Sequence, residues 1–301
     1  MKHIIHIAIV LCVFMGIGVS QAKADSAAEM LVQTDWLAAH LNDPGLLVLH
    51  VGVDRTAYDN GHITGARFVP WSEIAVTRNN VPNQLPAVDV LKTAFERVGV
   101  GDRSRVIMYG DTPLLAAHTY FALDYLGHAN HALLDGGLEK WKGEKRLISK
   151  DRPEVKAGLL TVKAHPELLV DMAGVQKMVT AKKVPLIDGR PPEQYSGAKP
   201  GDGIKRGGHI PGAKNVWWME TLVSKDNPVL KPVADIRALY EAAGAKLGEE
   251  VLVYCRTGPI ATYEYFTLKL AGFRPILYNG SFMEWSNATG TAVETGAGGS
   301  R

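Results

Sequence analysis

The chain repeats itself, and the repeat limits the possible folds more than any other feature. In the first half, Leu46-Leu-Val-Leu-His-Val-Gly52 leads through Tyr58 to Gly61-His-Ile-Thr-Gly-Ala66. In the second, Val184-Pro-Leu-Ile-Asp-Gly-Arg190 leads through Tyr195 to Gly208-His-Ile-Pro-Gly-Ala213. Further on, Val106-Ile-Met-Tyr-Gly110 answers Val251-Leu-Val-Tyr-Cys255. Leu134-Asp-Gly-Gly-Leu-Glu-Lys-Trp141 likewise answers Tyr278-Asn-Gly-Ser-Phe-Met-Glu-Trp285. From Gly61 and Gly208 onward, paired landmarks lie 144 to 147 residues apart in unchanged order. Such self-similarity means a duplicated domain.

Within each copy, short apolar runs alternate with stretches of helical spacing such as Val88–Val98 and Ala234–Ala243. Alternation of that kind predicts an α/β fold, each copy a mainly parallel sheet flanked by helices. The expected bounds are residues 25–150 for the N-terminal domain and 166–294 for the C-terminal one. Residues 151–165, with mixed charge and Pro153, read as a linker. Lys199–Gly208 reads as an extra surface loop, and the Gly-rich 295–301 as a flexible tail.

The first 24 residues stand apart from the fold. Lys2 is followed by a nearly unbroken apolar run from Ile4 to Val19, and Ala22-Lys23-Ala24 is an A-x-A site before Asp25. This is the pattern of a cleavable secretory signal of bacterial type, which makes the periplasm the expected location. Its removal takes Cys12 with it and leaves Cys255 as a lone cysteine, unable to form an internal disulfide. It also removes Lys2 and Lys23, so 33 basic residues become 31 against 31 acidic ones. That balance, without a basic stripe, gives no sign of nucleic acid as a partner. No later stretch is apolar and long enough to suggest a membrane span.

Cys255 stands where a buried strand, Val251–Tyr254, gives way to helical spacing from Thr262 to Leu270, with Gly272 at the C-cap position. Backbone N–H groups of residues 256–261 can curl around its sulfur there. Together with the helix dipole and Arg256, they favour a thiolate over a thiol. The first copy has Gly110 and Asp111 at the equivalent positions, so only the second copy kept the nucleophile and the first reads as scaffold.

A duplicated α/β domain with G-H-I-x-G-A in each copy and Cys-Arg-x-Gly in the second resembles the tandem-domain rhodaneses, the thiosulfate and 3-mercaptopyruvate sulfurtransferases. Asp188-Gly189-Arg190 and the N-G-S-F-x-E-W of Asn279–Trp285 belong to the same resemblance, which covers nearly the whole mature chain. It implies that Cys255 accepts sulfane sulfur as a persulfide and that the loop Arg256, Thr257, Gly258, Pro259 and Ile260 cradles it, with Ala261 in the same active-site loop. It further implies that Arg190 and Arg206 line the substrate pocket. The Cys-Arg pair follows the thiosulfate branch. Thr257 stands where a Lys is common, Ile260 where a Thr is common, and Gln194 where some members have Arg; Pro259 removes one N–H from the cradle.

The implied partners are a small anionic donor (thiosulfate or 3-mercaptopyruvate) and an acceptor such as cyanide, a small thiol or a protein thiol. No cofactor is implied, and no H-x-x-x-H or Cys-x-x-Cys spacing suggests a metal. The chemistry is two-step covalent catalysis. His62 and His209 recur in both copies and read as loop-fixing residues, and Trp141 and Trp285 as packing. One rival is a phosphatase or arsenate reductase, but those loops run Cys-x5-Arg and Ala261 occupies the sixth position. A second rival is a non-catalytic sulfur carrier or binding module.

Overall fold

The structure is a computed structural model that describes residues 29–224 and 226–296, so the expected signal and residues 297–301 of the expected tail lie outside the described residues. The first half opens with β1 (Leu31–Val32), α1 (Thr34–His40), β2 (Leu46–Gly52), α2 (Thr56–Asn60), β3 (His62–Ile63) and β4 (Arg67–Pro70). It continues through α3 (Trp71–Ile74), the hairpin β5 (Val76–Arg78) and β6 (Val81–Gln84), then α4 (Val88–Arg97). It closes with β7 (Arg105–Gly110), α5 (Pro113–Tyr125), β8 (His131–Leu134), α6 (Gly137–Gly143) and β9 (Ile148–Ser149).

The second half follows the same plan. After a 3-10 turn at Pro166–Leu168 come β10 (Leu169–Val170), α7 (Met172–Ala181), β11 (Leu186–Asp188), α8 (Pro192–Tyr195) and β12 (Lys214–Asn215). The hairpin β13 (Leu222–Ser224) and β14 (Asn227–Leu230) precedes α9 (Val233–Ala242). Then come β15 (Glu250–Tyr254), α10 (Pro259–Ala271), β16 (Arg274–Tyr278) and α11 (Ser281–Asn287).

The two principal sheets are β1-β8-β7-β2-β4 and β10-β16-β15-β11-β12, the same order in corresponding strands. Every neighbouring pair within them is parallel. Helices cover both faces, which is why β7 and β15 read as continuous apolar runs: Val106–Tyr109 and Val251–Tyr254 are buried throughout. The copies are 137 residues out of step at Tyr58 and Tyr195 but 147 at Gly61 and Gly208. The second half therefore carries ten extra residues, 147 minus 137, at the expected surface loop.

The G-H-I-x-G-A motif has one geometry in both halves. His62 stacks on Tyr58 at 3.7 Å and 2°, and His209 on Tyr195 at 3.8 Å and 7°. Each Nδ1 bonds the main-chain carbonyl of its tyrosine, at 2.8 and 2.9 Å. Tyr58 and Tyr195 donate to the carbonyls of Ala66 and Ala213, while Tyr109 and Tyr254 accept from the amides of Ile63 and Ile210. Trp141 and Trp285 each donate from the indole to a carbonyl, of Leu147 and Ala292. The recurring histidines thus fix a corner of the chain, as the repeat predicted.

The halves meet along α5 and α10, the helices that follow the Gly110 and Cys255 loops. Phe121 meets Tyr265 edge-on at 4.7 Å and Tyr120 meets Phe266 at 4.9 Å. Each such pair adds about 0.5–1.5 kcal/mol beyond the area it buries. Asp124 of α5 accepts from Tyr265 at 2.8 Å and pairs with Lys269. Both helices are covered on all sides, Ala116–Leu123 and Ala261–Leu268 being buried throughout, so neither shows a polar stripe in its sequence.

The linker is not free chain. Residues 150–165 form no regular element, yet they are bonded along the first half. Gly158 N–H donates to Glu96 O, Leu160 N–H to the Glu96 carboxylate, Lys163 N–H to Leu126 O and His165 N–H to Tyr125 O. A Cβ on Gly158 would lie 1.9 Å from Val100 O, so only glycine allows this approach.

Candidate active site

The site lies at the carboxyl end of β15, beside that of β11, where doubly wound sheets place their ligands. Cys255 is 1% exposed. Three residues on, the Gly258 N–H donates to its Sγ at 3.1 Å. Gly258 has φ +120°, and a Cβ there would press on Asn83 O at 3.1 Å and Asn279 Oδ1 at 3.3 Å. Glycine is therefore required at the one amide that reaches the sulfur. The expected ring of amides is narrower than its sequence suggested. Pro259 has no N–H, and Ile260 and Ala261 belong to the first turn of α10, which has no side-chain cap.

The outside of the loop is held by α11. Phe282 N–H donates to Cys255 O at 2.9 Å and Met283 N–H to Arg256 O at 3.0 Å. These are otherwise unpaired amides of a helix start, so the helix is capped by the loop itself. Ser281, at the head of α11, accepts the Cys255 N–H at 3.3 Å, donates to Tyr278 O at 3.0 Å and stands 3.9 Å from Sγ. It does so at φ +55°, where a non-glycine residue is strained, and its counterpart in the first half is Gly137 at φ +53°. Sequence reading passed over Ser281, though Ser against Gly at matched positions was the available signal.

The first half also reaches the site, which corrects its reading as scaffold alone. Asn83, at φ +63° in the β5–β6 hairpin, donates from Nδ2 to the Thr257 hydroxyl at 3.1 Å. Its Oδ1 accepts from the Trp71 indole at 3.3 Å. Gln84 Nε2 donates to Asn279 O at 2.9 Å and to Thr257 O at 3.4 Å. Thr257 is buried, so its side chain ties the loop to the other half instead of lining an open pocket. Asn83 and Gln84 lie about 174 positions away, and no local pattern marks them.

The expected arginines part company. Among the described residues, the Arg256 guanidinium has no hydrogen-bond or ion-pair partner and lies against the extra loop, where a Cβ on Gly201 would stand 3.4 Å from Nη1. It is a cation available to an anion. Arg190 and Arg206, expected to line the pocket, have most of their donors engaged by the protein itself. Arg190 is fully buried; Nε and Nη2 bond the Asp188 carboxylate at 2.6 to 3.1 Å, and Nη2 also donates to Gly208 O. Its guanidinium covers the Phe282 ring at 4.0 Å, leaving only Nη1 without a partner. Arg206 spends its donors on the carbonyls of Trp285, Ser286, Ala288 and Thr291, closing the carboxyl end of α11. A cation at a helix C-terminus satisfies carbonyls that the helix leaves open.

A further buried group adjoins the loop. Glu264 of α10 is fully buried and, among the described residues, neither carboxylate oxygen has a partner. It fits because position 189 is glycine, where a Cβ would meet Glu264 Oε2 at 2.3 Å and Ile260 Cγ2 at 2.8 Å. Burial first, then the charges of Asp188 and Cys255, hold this carboxyl well above the usual carboxylate range.

The profile of the rhodanese-like domain matches this chain twice, over residues 33–144 and 171–288. The chain belongs to the rhodanese-like domain family. Among relatives of this rhodanese, the sulfur carrier protein TtuD of Thermus thermophilus is 33% identical over 281 residues, covering 89% of this chain and 97% of its own. The thiosulfate sulfurtransferase of Corynebacterium glutamicum is 30% identical over 285 residues, covering 89% and 91%. The crystal structure of the 3-mercaptopyruvate sulfotransferase SseA from Escherichia coli superposes with a TM-score of 0.73 at 26% identity, over 83% of this chain and 98% of that one. The crystal structure of YnjE gives 0.80 at 25% identity, over 89% and 68%. The fold is thus the expected pair of rhodanese domains with parallel sheets.

Proposed function

We infer that this rhodanese is a sulfurtransferase that moves sulfane sulfur from thiosulfate to a thiophilic acceptor through a persulfide on Cys255. One observation carries the reading: the single cysteine among the described residues ends a central strand with an amide N–H held 3.1 Å from its sulfur. Attack by the Cys255 thiolate on the outer sulfur of thiosulfate forms a new S–S bond. The old S–S bond breaks with its electron pair leaving on sulfite. The acceptor then attacks the outer sulfur, and Cys255 leaves as thiolate. Arg256 is placed to receive the dianionic donor by charge-assisted hydrogen bonds. Ser281 and Gly258 hold the nucleophile, and Arg190 and Arg206 hold the loops around it.

The test is a mass measurement before and after thiosulfate, coupled to cyanide-dependent thiocyanate release. The native chain gains one sulfur atom, about 32 Da, and turns over, while Cys255→Ser does neither. A Cys255→Ser chain that still gains sulfur refutes the assignment. Turnover with 3-mercaptopyruvate in place of thiosulfate would redirect the donor. A stable persulfide that cyanide fails to discharge marks a carrier, a second reading favoured by the 1% exposure of Cys255 and by the similarity to TtuD. We further propose a periplasmic location, supported by the apolar leader and its A-x-A site. A mature N-terminus at Asp25 is the expected sequencing result, and a cytoplasmic chain beginning at Met1 refutes it.

A further inference from the structure

The first half has no cysteine at the end of β7, yet the space there is not filled. A cavity of about 370 Å³ opens beside Gly110, Asp111 and Thr112, within the size range of small-molecule sites. The second half closes it. Pro228 and Leu230 of the β13–β14 hairpin line it, and Leu230 N–H donates to the Asp135 carboxylate at 3.0 Å. This mirrors the β5–β6 hairpin over Cys255.

Its chemistry is the reverse of the Cys255 loop. Asp111 stands where the second half has Arg256, and Asp135 where it has Asn279. Both carboxylates line the cavity together with Glu139 against one Lys142, so the lining is formally acidic. His50 also lines it, 1% exposed. Its Nε2 bonds Asp111 Oδ1 at 2.8 Å, while its Nδ1 is buried without a partner among the described residues. Burial holds this imidazole below its ordinary range, overriding the opposing pull of Asp111. A neutral ring that donates from Nε2 to Asp111 leaves Nδ1 as a buried lone pair in need of a donor. The remaining walls are apolar, including Leu133 and Phe266.

We propose that this cavity is a second ligand site, selective for a small organic monocation: a primary ammonium on an apolar body about the size of a benzene ring. The ammonium carries three N–H donors to meet Asp111, Asp135 and His50, and the ring takes the apolar wall. The same charges turn away the anionic donor expected at Cys255, so the two copies divide ligands by sign.

Calorimetric titration of the full chain with benzylammonium chloride, benzyl alcohol and benzoate tests this. Benzylammonium binds one to one, about tenfold or more tighter than the neutral alcohol, the order of one charge-assisted hydrogen bond, and benzoate does not bind. Asp111→Asn removes that preference and leaves sulfur loading of Cys255 unchanged. Equal binding of alcohol and ammonium, or a preference that survives Asp111→Asn, overturns the proposal. Should that variant not fold, a crystal of the native chain with 4-bromobenzylammonium decides by where the bromine lies. Bromine against the apolar wall at Leu133 and Phe266 supports the site, and bromine elsewhere, or no saturable binding in solution, refutes it.

Discussion

The Gly110 loop and the Cys255 loop descend from one plan and now differ in almost everything that chemistry can use. Their strands share a register, the ring separations of their histidine–tyrosine stacks agree to 0.1 Å, and their following helices pack on each other. Yet one presents a thiol beside an unpaired arginine, and the other a glycine beside an aspartate. The corner and sheet preserve the shape of a site, while two or three loop residues decide its charge and reactivity. Neither copy is complete by itself, because the hairpin over each loop comes from the other half.

The sharpest way to break this comparison is to restore a thiol to the first copy. Gly110→Cys together with Cys255→Ser is expected to take up no sulfur from thiosulfate, measured by mass. A Cβ at Gly110 stands 3.0 Å from both Thr112 O and Val51 O and 3.1 Å from Ala116 N, and Asp111 repels the dianion. Sulfur uptake by that double variant would show that shape alone suffices.

A smaller effect tests the borrowed hairpin. Asn83→Gly keeps the left-handed backbone but removes the hydrogen bond to Thr257. Sulfur transfer should fall about tenfold, the worth of one buried hydrogen bond that positions a loop, with folding intact. Combined with Thr257→Val, the second loss should be less than additive, as expected for contacting partners. Full additivity would mean that the hairpin acts elsewhere.

The smallest effect concerns Glu264, which has no counterpart charge in the first half, where Thr119 occupies the matched position. Its folded-state carboxyl is raised, so its contribution to stability is complete below the ordinary carboxylate range and is lost as pH rises through the raised value. Glu264→Gln should therefore flatten the decline of Tm from pH 5 to pH 8 and leave Tm at pH 5 nearly unchanged. An unaltered slope would mean that the carboxyl is ionised and paired in the folded protein.

Much of this was legible in the sequence because its signals are local. The strand before Cys255, the helix from Thr262 to Leu270 and the glycine after it appear as expected, with Gly272 at φ +94°. The duplication was plain for the same reason: matched landmarks keep their order. What escaped were relations between distant segments. An arginine that caps a helix end, as Arg206 does, has the same letter as one that faces a substrate. Asn83 is unremarkable until the fold sets it against Thr257. Residues 151–165 read as a linker, whereas carbonyl and carboxylate groups of the first half accept from the N–H groups of Gly158, Leu160, Thr161, Lys163 and His165.

That last feature takes the slack out of the chain between the two copies. From Gly158 to His165 the connector is stitched to its own side like a splint, the final stitch being His165 N–H to Tyr125 O. Only Pro166–Leu168, a single 3-10 turn, separates that stitch from the first strand of the second sheet. Across α5 and α10 the ring contacts and the Asp124–Lys269 pair tie the halves as well, so each hairpin sits over its loop with little slack in the chain that joins them.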